Sequence, residues 1–210
     1  YINSTQNFPA DITAGTTSSS VSGSPQSNSN EGYAKLFDGK INTKYCTSGT
    51  SCYVQYLLNK AYKFTSYAVT TANDAPERDP KLWSFSGYNP EVGWVELDER
   101  RSFNFPGRFV TMKFDIDSEM EFTAFMLEVS SVKSGTMLQL GNLQVFGEET
   151  SGAVNHPVLP ANPTAEELVK LMTKSEKLSY VGGIDWMYTR DIPRLKIPRM
   201  KMADGPQGVG

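Results

Sequence analysis

The stretch Phe122-Thr-Ala-Phe-Met-Leu-Glu-Val129 is short, apolar and nearly alternating, which is the pattern of a β-strand. Turn-forming residues separate it from similar stretches, and no long helical period occurs before residue 160. The chain is therefore predicted to be mainly β, an antiparallel β-sandwich that closes at Phe146-Gly147. The other predicted strands are Tyr53–Leu58, Phe64–Thr70, Leu82–Tyr88, Gly93–Leu97, Arg108–Ile116 and Leu138–Gly147.

Length and charge limit the classes of protein to which the chain can belong. Its 210 residues can hold one large domain, or one ordinary domain plus a piece of another. The net charge of −3 argues against a nucleic-acid or anionic-membrane partner, because both need concentrated Lys and Arg. No apolar run approaches the roughly 20 residues that cross a bilayer, so no membrane span is predicted.

The two cysteines, Cys46 and Cys52, stand six positions apart. A metal site would need further Cys or His ligands, and the only histidine is the distant His156. A disulfide across this short loop fits better than two free thiols, and it implies an exported protein, either extracellular or periplasmic. His156 lies in a Pro-rich stretch and is expected to be a solvated loop residue.

Four segments carry a family resemblance: Leu36–Tyr45, Tyr53–Tyr56, Asp79–Gly87 and Leu140–Gly147. In this order they resemble the discoidin, or coagulation-factor C-type, domain. That domain is a galactose-binding-like jelly roll shared with family 32 of the carbohydrate-binding modules. The resemblance covers most of residues 31–147, and it implies that residues 1–147 form a carbohydrate-binding-like module.

In that family the loop within the first segment often wraps a structural cation. The matching positions here are the Asp38 side chain, the Lys40 carbonyl, Thr43 and Asn142. A hard cation such as calcium takes several oxygen ligands at roughly 2.4 Å. Family members often carry Asp in place of Lys40 and Glu in place of Asn142, so the resemblance implies a weakened calcium site. An Asx turn without a metal explains the same residues equally well.

A change in composition follows the sandwich. Residues 148–162 have the Pro, Gly and small polar residues of a linker. Thr164-Ala-Glu-Glu167 is a capping box, and the apolar residues Leu168, Leu171 and Met172 follow at helical spacing. We predict one amphipathic helix that ends at about Leu178, with its apolar face buried on a barrel or on the sandwich.

The end of the chain combines an apolar stretch, Ile197 to Met202, with Asp204-Gly-Pro and further glycines. A carboxylate at the end of a predicted strand suits a hydroxyl-rich ligand, although Asp-Gly-Pro is more often a plain turn. The run from Asp191 to Val209 closely resembles the opening of glycoside hydrolase family 3, the β-glucosidase-like enzymes. The resemblance extends back to about Pro163. It implies that residues 163–210 form a short α/β tail that begins a (β/α)8 barrel, and that Asp204 binds sugar hydroxyls. Gly210 departs from the family, which usually has Arg there.

Retaining glycoside hydrolysis needs two carboxyl groups about 5–5.5 Å apart. The family's nucleophile lies beyond residue 210, so this chain is expected to contain no catalytic residue and to be inactive alone, and no cofactor is expected for catalysis. The carboxylates upstream are interpreted as solvated: Glu77, Asp79, Asp98, Glu99, Asp115, Asp117, Glu119 and Glu121.

Aromatic residues are a further source of sugar contacts. Trp83, Trp94 and Tyr56 alternate with polar neighbours and are assigned to the core. Exposed positions are expected instead for Tyr33, Tyr88, Trp186 and Tyr188.

The sequence therefore predicts the leading portion of an exported glycoside hydrolase that cleaves β-glycosidic bonds, with a carbohydrate as its partner. The alternative is a stand-alone carbohydrate-binding or adhesion module.

Overall fold

A computed structural model describes residues 9–14, 21–25, 30–185 and 187–202. Its strands are β1 (Ala10–Asp11), β2 (Val21–Ser24), β3 (Tyr45–Ser48), β4 (Cys52–Thr70), β5 (Pro80–Asn89), β6 (Gly93–Arg100), β7 (Thr111–Asp115), β8 (Phe122–Val132), β9 (Met137–Leu140) and β10 (Asn142–Glu149). Two α-helices follow, α1 (Ala165–Leu171) and α2 (Lys174–Val181). Short 3-10 helices lie at Tyr33–Phe37, Pro76–Arg78 and Pro193–Leu195.

The strands form an antiparallel sandwich, as the sequence predicts. The path β1-β10-β4-β8-β5-β6 makes the main sheet, with β2 and β7 also paired to β4, while β3 and β9 make a separate two-stranded sheet. The long strand β4 joins two groups of strands. Its first half pairs with β2 and β8, and its second half pairs with β10 and β7.

Aromatic side chains from these two groups meet in the core. The ring of Tyr67, from the second half of β4, stacks on Phe85 of β5 at a centroid distance of 4.4 Å. The Tyr67 hydroxyl accepts a hydrogen bond from Trp83 Nε1 at 2.9 Å and donates one to Asp98 Oδ2 at 2.5 Å. Trp83 and Tyr56 are buried, which agrees with their assignment to the core.

The tail covers the outer face of the sandwich. A second apolar cluster, here called the outer-face cluster, joins sheet residues to tail residues. Its buried members are Tyr88, Trp94, Ala124, Met126, Leu171, Met172, Ile192 and Leu195. The Lys170 carbonyl of α1 approaches Gly93 so closely that no Cβ would fit there. The prediction that Tyr88 is exposed is therefore wrong, because α1 and the residues after it cover this face.

Two predictions for the tail need correction. The single helix predicted to end near Leu178 is two helices, because Met172 is extended (ψ 135°) and Thr173 begins a new capping box. The strand predicted from Ile197 to Met202 is not formed within the described part of the chain, which has only isolated bridges there, such as Ile192 with Ile197.

The predicted linker follows the sandwich closely. Thr123 Oγ1 donates a hydrogen bond to the Asn155 carbonyl at 2.6 Å, and His156 Nε2 donates one to the Leu58 carbonyl at 2.7 Å. His156 is half-buried, so the expectation of a solvated histidine is wrong. Its ring is held because the linker packs along β4 and β8.

Candidate functional site

The loop after the first 3-10 helix brings the predicted cation ligands together. Gly39 has φ +67°, which lets the chain turn sharply after Asp38. Asp38 Oδ1 accepts hydrogen bonds from Lys40 N at 3.0 Å and from Thr43 Oγ1 at 2.8 Å. Asn142 Nδ2 reaches this loop from the start of β10, 3.4 Å from the Lys40 carbonyl oxygen. All four predicted residues therefore converge.

Two oxygen atoms of this loop have unused hydrogen-bonding capacity. Asp38 Oδ2 and Asn142 Oδ1 are buried and have no hydrogen-bond partner among the described residues. Lys35 Nζ lies 3.8 Å from Asp38 Oδ2, which is a long ion pair. Carboxylate, amide, carbonyl and hydroxyl oxygens suit a hard cation, so the donor set fits calcium. The set carries a single formal negative charge, and no cluster of three or more His, Cys, Asp or Glu that could hold a metal occurs among the described residues.

A cleft of about 430 Å³ lies beside this loop. On one side Asp11 Oδ2 accepts a hydrogen bond from Gln144 Nε2 at 2.8 Å, while Asp11 Oδ1 accepts one from Thr13 N at 2.9 Å. Thr111, also in the lining, shares a 2.8 Å hydrogen bond with Thr70. Ile41 is 56% exposed and supplies an apolar patch. The cleft thus combines carboxylate, amide and hydroxyl groups with apolar surface.

The cysteines do not form the predicted disulfide, since both are free and buried. Cys46 follows Tyr45 on β3, and successive residues of a strand point to opposite faces. Tyr45 is the residue that contacts the Cys52 thiol, so Cys46 points to the other face. Burial raises the pKa of Cys52 to about 12, and it also raises that of Cys46.

Of the carboxylates that were predicted to be solvated, Asp79 is buried and Asp98 is half-buried. Asp79 is 4% exposed and pairs with Arg108, whose Nη1 lies 2.8 Å from Asp79 Oδ1. Asp98 accepts from the buried Tyr67 hydroxyl and pairs with Arg100 at 2.7 Å. Each of these carboxylates is therefore paired with an arginine, and Asp98 also accepts a hydrogen bond from a core hydroxyl.

A polar network that the sequence analysis missed joins the tail to the sheet. Arg194 forms a two-point ion pair with Glu176, with Nη2–Oε2 at 2.6 Å and Nε–Oε1 at 3.0 Å. Thr173 Oγ1 donates a 3.1 Å hydrogen bond to Glu128 Oε1 of β8. The sequence signal was present in part, because Thr173-Lys-Ser-Glu176 repeats the capping-box pattern.

Asp204 and Trp186 lie outside the described residues. Of the other predicted exposed aromatic residues, Tyr188 is half-buried and the Arg199 guanidinium lies over its ring, 3.9 Å from the centroid. Tyr33 is also half-buried and packs against the main core.

Comparison with solved structures identifies the type of fold. A family 32 carbohydrate-binding module of Streptococcus pneumoniae EndoD matches with a TM-score of 0.56 and 14% identity, covering 66% of this chain and 100% of that one. A Clostridium perfringens module solved with GalNAc-beta-1,3-galactose gives 0.51 and 15%, covering 60% and 93%. An F5/8 type C domain from Bacteroides fragilis gives 0.53 and 18%, covering 62% and 92%. The fold is a galactose-binding-like jelly roll.

Sequence comparisons reach only parts of longer proteins. No protein-family model matches the chain. A peptide-N(4)-(N-acetyl-beta-glucosaminyl)asparagine amidase of Arabidopsis thaliana is 33% identical over 119 residues, which is 52% of this chain and 16% of that protein. A probable beta-glucosidase I of Emericella nidulans is 45% identical over 53 residues, 25% of this chain and 6% of that protein. The chain therefore spans less than a fifth of either curated relative.

Proposed function

We propose that this chain is the carbohydrate-binding portion of a glycosidase-like protein and that its sandwich binds a glycan. The observation that carries the proposal is the match to carbohydrate-binding modules over 91–100% of their length, one of them solved with a disaccharide. The cleft between Asp11, Gln144 and the Asp38 loop is the proposed binding site. Its carboxylate oxygens can accept hydrogen bonds from sugar hydroxyls, and its amide groups can both donate and accept them.

Calorimetric titration with a panel of galactosides, N-acetylhexosaminides and β-glucosides tests the binding. We expect at least one sugar to bind, and Asp11→Asn to weaken its affinity at least ten-fold. Asp115→Asn is the matched control, because Asp115 on β7 has a side chain that is 91% exposed. A folded wild-type chain that binds no sugar contradicts the function, whereas binding that Asp11→Asn leaves unchanged contradicts only the site.

We also propose that Asp38, Lys40, Thr43 and Asn142 hold a structural calcium ion. Asp38 Oδ2 and Asn142 Oδ1 support this proposal, because both are buried and neither accepts a hydrogen bond from the described residues. With a dissociation constant of roughly 0.1–1 mM, 5 mM calcium stabilises the folded chain by about 1–2 kcal/mol, which raises Tm by roughly 2–8 °C. Scanning calorimetry of wild type and Asp38→Asn measures this, and an equal shift in both contradicts the site.

The tail is proposed to begin a β-glucosidase-like catalytic domain in which Asp204 binds sugar hydroxyls. The similarity to the fungal beta-glucosidase over 53 residues supports this. The test is a longer chain that continues past residue 210, assayed on aryl β-glycosides. Turnover that Asp204→Ala reduces at least a hundred-fold supports the proposal, and no turnover on the whole panel contradicts it.

We also propose an extracellular or periplasmic location, although Cys46 and Cys52 form no disulfide that would support it. No described helix is long and apolar enough to cross a membrane.

A further inference from the structure

The tail packs on the outer face of the sandwich through an apolar contact. Leu171 and Met172 come from the helical part of the tail, and Ile192 and Leu195 come from the residues after it. All four are buried with Trp94 and its neighbours on the sheet. Residues 163–197 are therefore docked onto the sandwich, and this docking does not depend on the proposed function.

Glu128 lies at the edge of this contact on the central strand β8. Strand alternation puts it on the same face as Ala124 and Met126, which belong to the outer-face cluster. Its Oε1 accepts the hydrogen bond from Thr173 Oγ1, while its Oε2 is buried and has no hydrogen-bond partner within the described ranges. A carboxylate has about four acceptor sites, so the ionised form of Glu128 is poorly compensated here.

The charged groups around Glu128 form ion pairs with one another. From the tail, Arg194 is paired with Glu176, and it also donates to the Leu171 carbonyl at 2.7 Å. From β6, Glu96 is paired with Lys174 at 2.8 Å. Two titratable groups of β4 also lie near Glu128. Tyr53 interacts electrostatically with Arg194 and Glu176. Cys52 interacts electrostatically with Glu128 itself.

We propose that the tail docks on the sandwich through a proton-sensitive latch, closed when the Glu128 carboxyl is neutral and loosened when it is ionised. A neutral carboxyl carries no charge and so needs no counter-charge in this buried position. An ionised carboxylate there faces the carboxylates of Glu176 and Glu96 with little solvent to screen them.

The direction of the pH dependence follows from the proton affinity of Glu128. Burial raises the pKa of Glu128 to about 7, and the Glu176 charge adds to this, while Thr173 and Arg194 act in the opposite sense. Undocking exposes the carboxyl and returns its pKa toward the ordinary value of 4.5. The docked state therefore binds the proton more tightly. The contribution of Glu128 to docking is therefore fully present below about pH 4.5 and is lost as the pH rises to about 7, by up to roughly ten-fold in the docking equilibrium per pH unit.

Hydrogen exchange of the full chain between pH 5.5 and pH 8 tests the latch. The measured quantity is the protection of peptides covering residues 165–181, divided by that of β8 peptides and corrected for intrinsic exchange, so that global unfolding cancels. In the wild type this ratio should fall at least ten-fold over the range. In Glu128→Gln it should change less than two-fold, and Glu128→Met should behave in the same way if the glutamine variant folds poorly.

Two matched variants separate this effect from other titrations. Glu148→Gln changes an exposed carboxylate on β10, and His156→Gln removes the one histidine, a residue type that titrates in this range. Both should keep the wild-type fall. A wild-type ratio that does not change with pH overturns the latch, as does a fall that persists in both Glu128 variants.

Discussion

Arg108 shows how one buried ion pair stabilises the loops of the sandwich. Its guanidinium contacts both oxygens of Asp79 and donates to the Asp74 carbonyl at 3.0 Å. Burial raises the pKa of Asp79 even though Arg108 lowers it, because the carboxylate is largely desolvated. Arg108→Met leaves this charge without a partner, and we expect it to reduce the free energy of unfolding by about 3–5 kcal/mol in urea titrations.

Arg101→Met is the control for that prediction. Arg101 pairs with Glu99 at 2.9 Å, but its side chain is 74% exposed. An exposed pair of this kind contributes about 1 kcal/mol or less. Equal losses in the two variants would show that burial of Asp79 adds nothing to the cost.

For single residues, spacing in the sequence predicts poorly which side chains meet when both lie on strands, because strand geometry fixes the direction of each side chain. The short separation of Cys46 and Cys52 predicts a bond, but alternation along β3 points Cys46 away from the side on which Tyr45 meets Cys52. The Asp38 loop is the opposite case, because Asp38, Lys40 and Thr43 are close in sequence and any tight turn brings them together. Asn142 could be assigned to this loop only through the family resemblance, since it is far from Asp38 in the sequence.

Among the elements, the two tail helices differ in what their N-caps contact. Thr164 and Thr173 each form a complete capping box, but only Thr173 also donates to Glu128. Thr164→Ala should therefore lower the opening free energy of α1 by about 1 kcal/mol. Thr173→Ala should lower that of α2 by about 2 kcal/mol, because it also loses the bond to Glu128. Native-state hydrogen exchange measures both, and equal effects would mean that the Glu128 contact contributes nothing to the stability of α2.

The sequence predicts the number and type of the main strands better than their limits. Tyr53–Leu58 and Phe64–Thr70 are predicted as two strands, but no Gly or Pro separates them, and β4 continues through both with a register shift between Leu57 and Tyr62. Conversely, the strand predicted from Leu138 to Gly147 is divided at Gly141. A Cβ there would lie 2.9 Å from the Thr71 carbonyl oxygen, so the backbone at Gly141 passes close to that at Thr71. The alternation of apolar and polar residues does not reveal such a contact.

Across the whole molecule, the two apolar clusters predict that the sandwich folds without its tail. The main cluster contains no residue after Val145, so a chain ending at residue 158 keeps all of its members. The same truncation uncovers the sheet side of the outer-face cluster, including Tyr88, Trp94 and Met126. We expect a cooperative thermal transition with Tm lowered by roughly 4–8 °C, which corresponds to a net loss of about 2 kcal/mol.

The same truncation should also create a dye-binding surface. An exposed patch that contains Trp94 and Met126 binds a fluorescent hydrophobic probe such as ANS, whereas the full chain should not. The full chain with Val169→Ala is the control, because Val169 lies on α1 but is 52% exposed and outside the cluster. Probe binding by the truncated chain alone would identify the tail as the cover of this face. If the truncated chain binds no more probe than the full chain, other parts of the sandwich cover the apolar residues of the outer face. The tail would then be only loosely associated with that face.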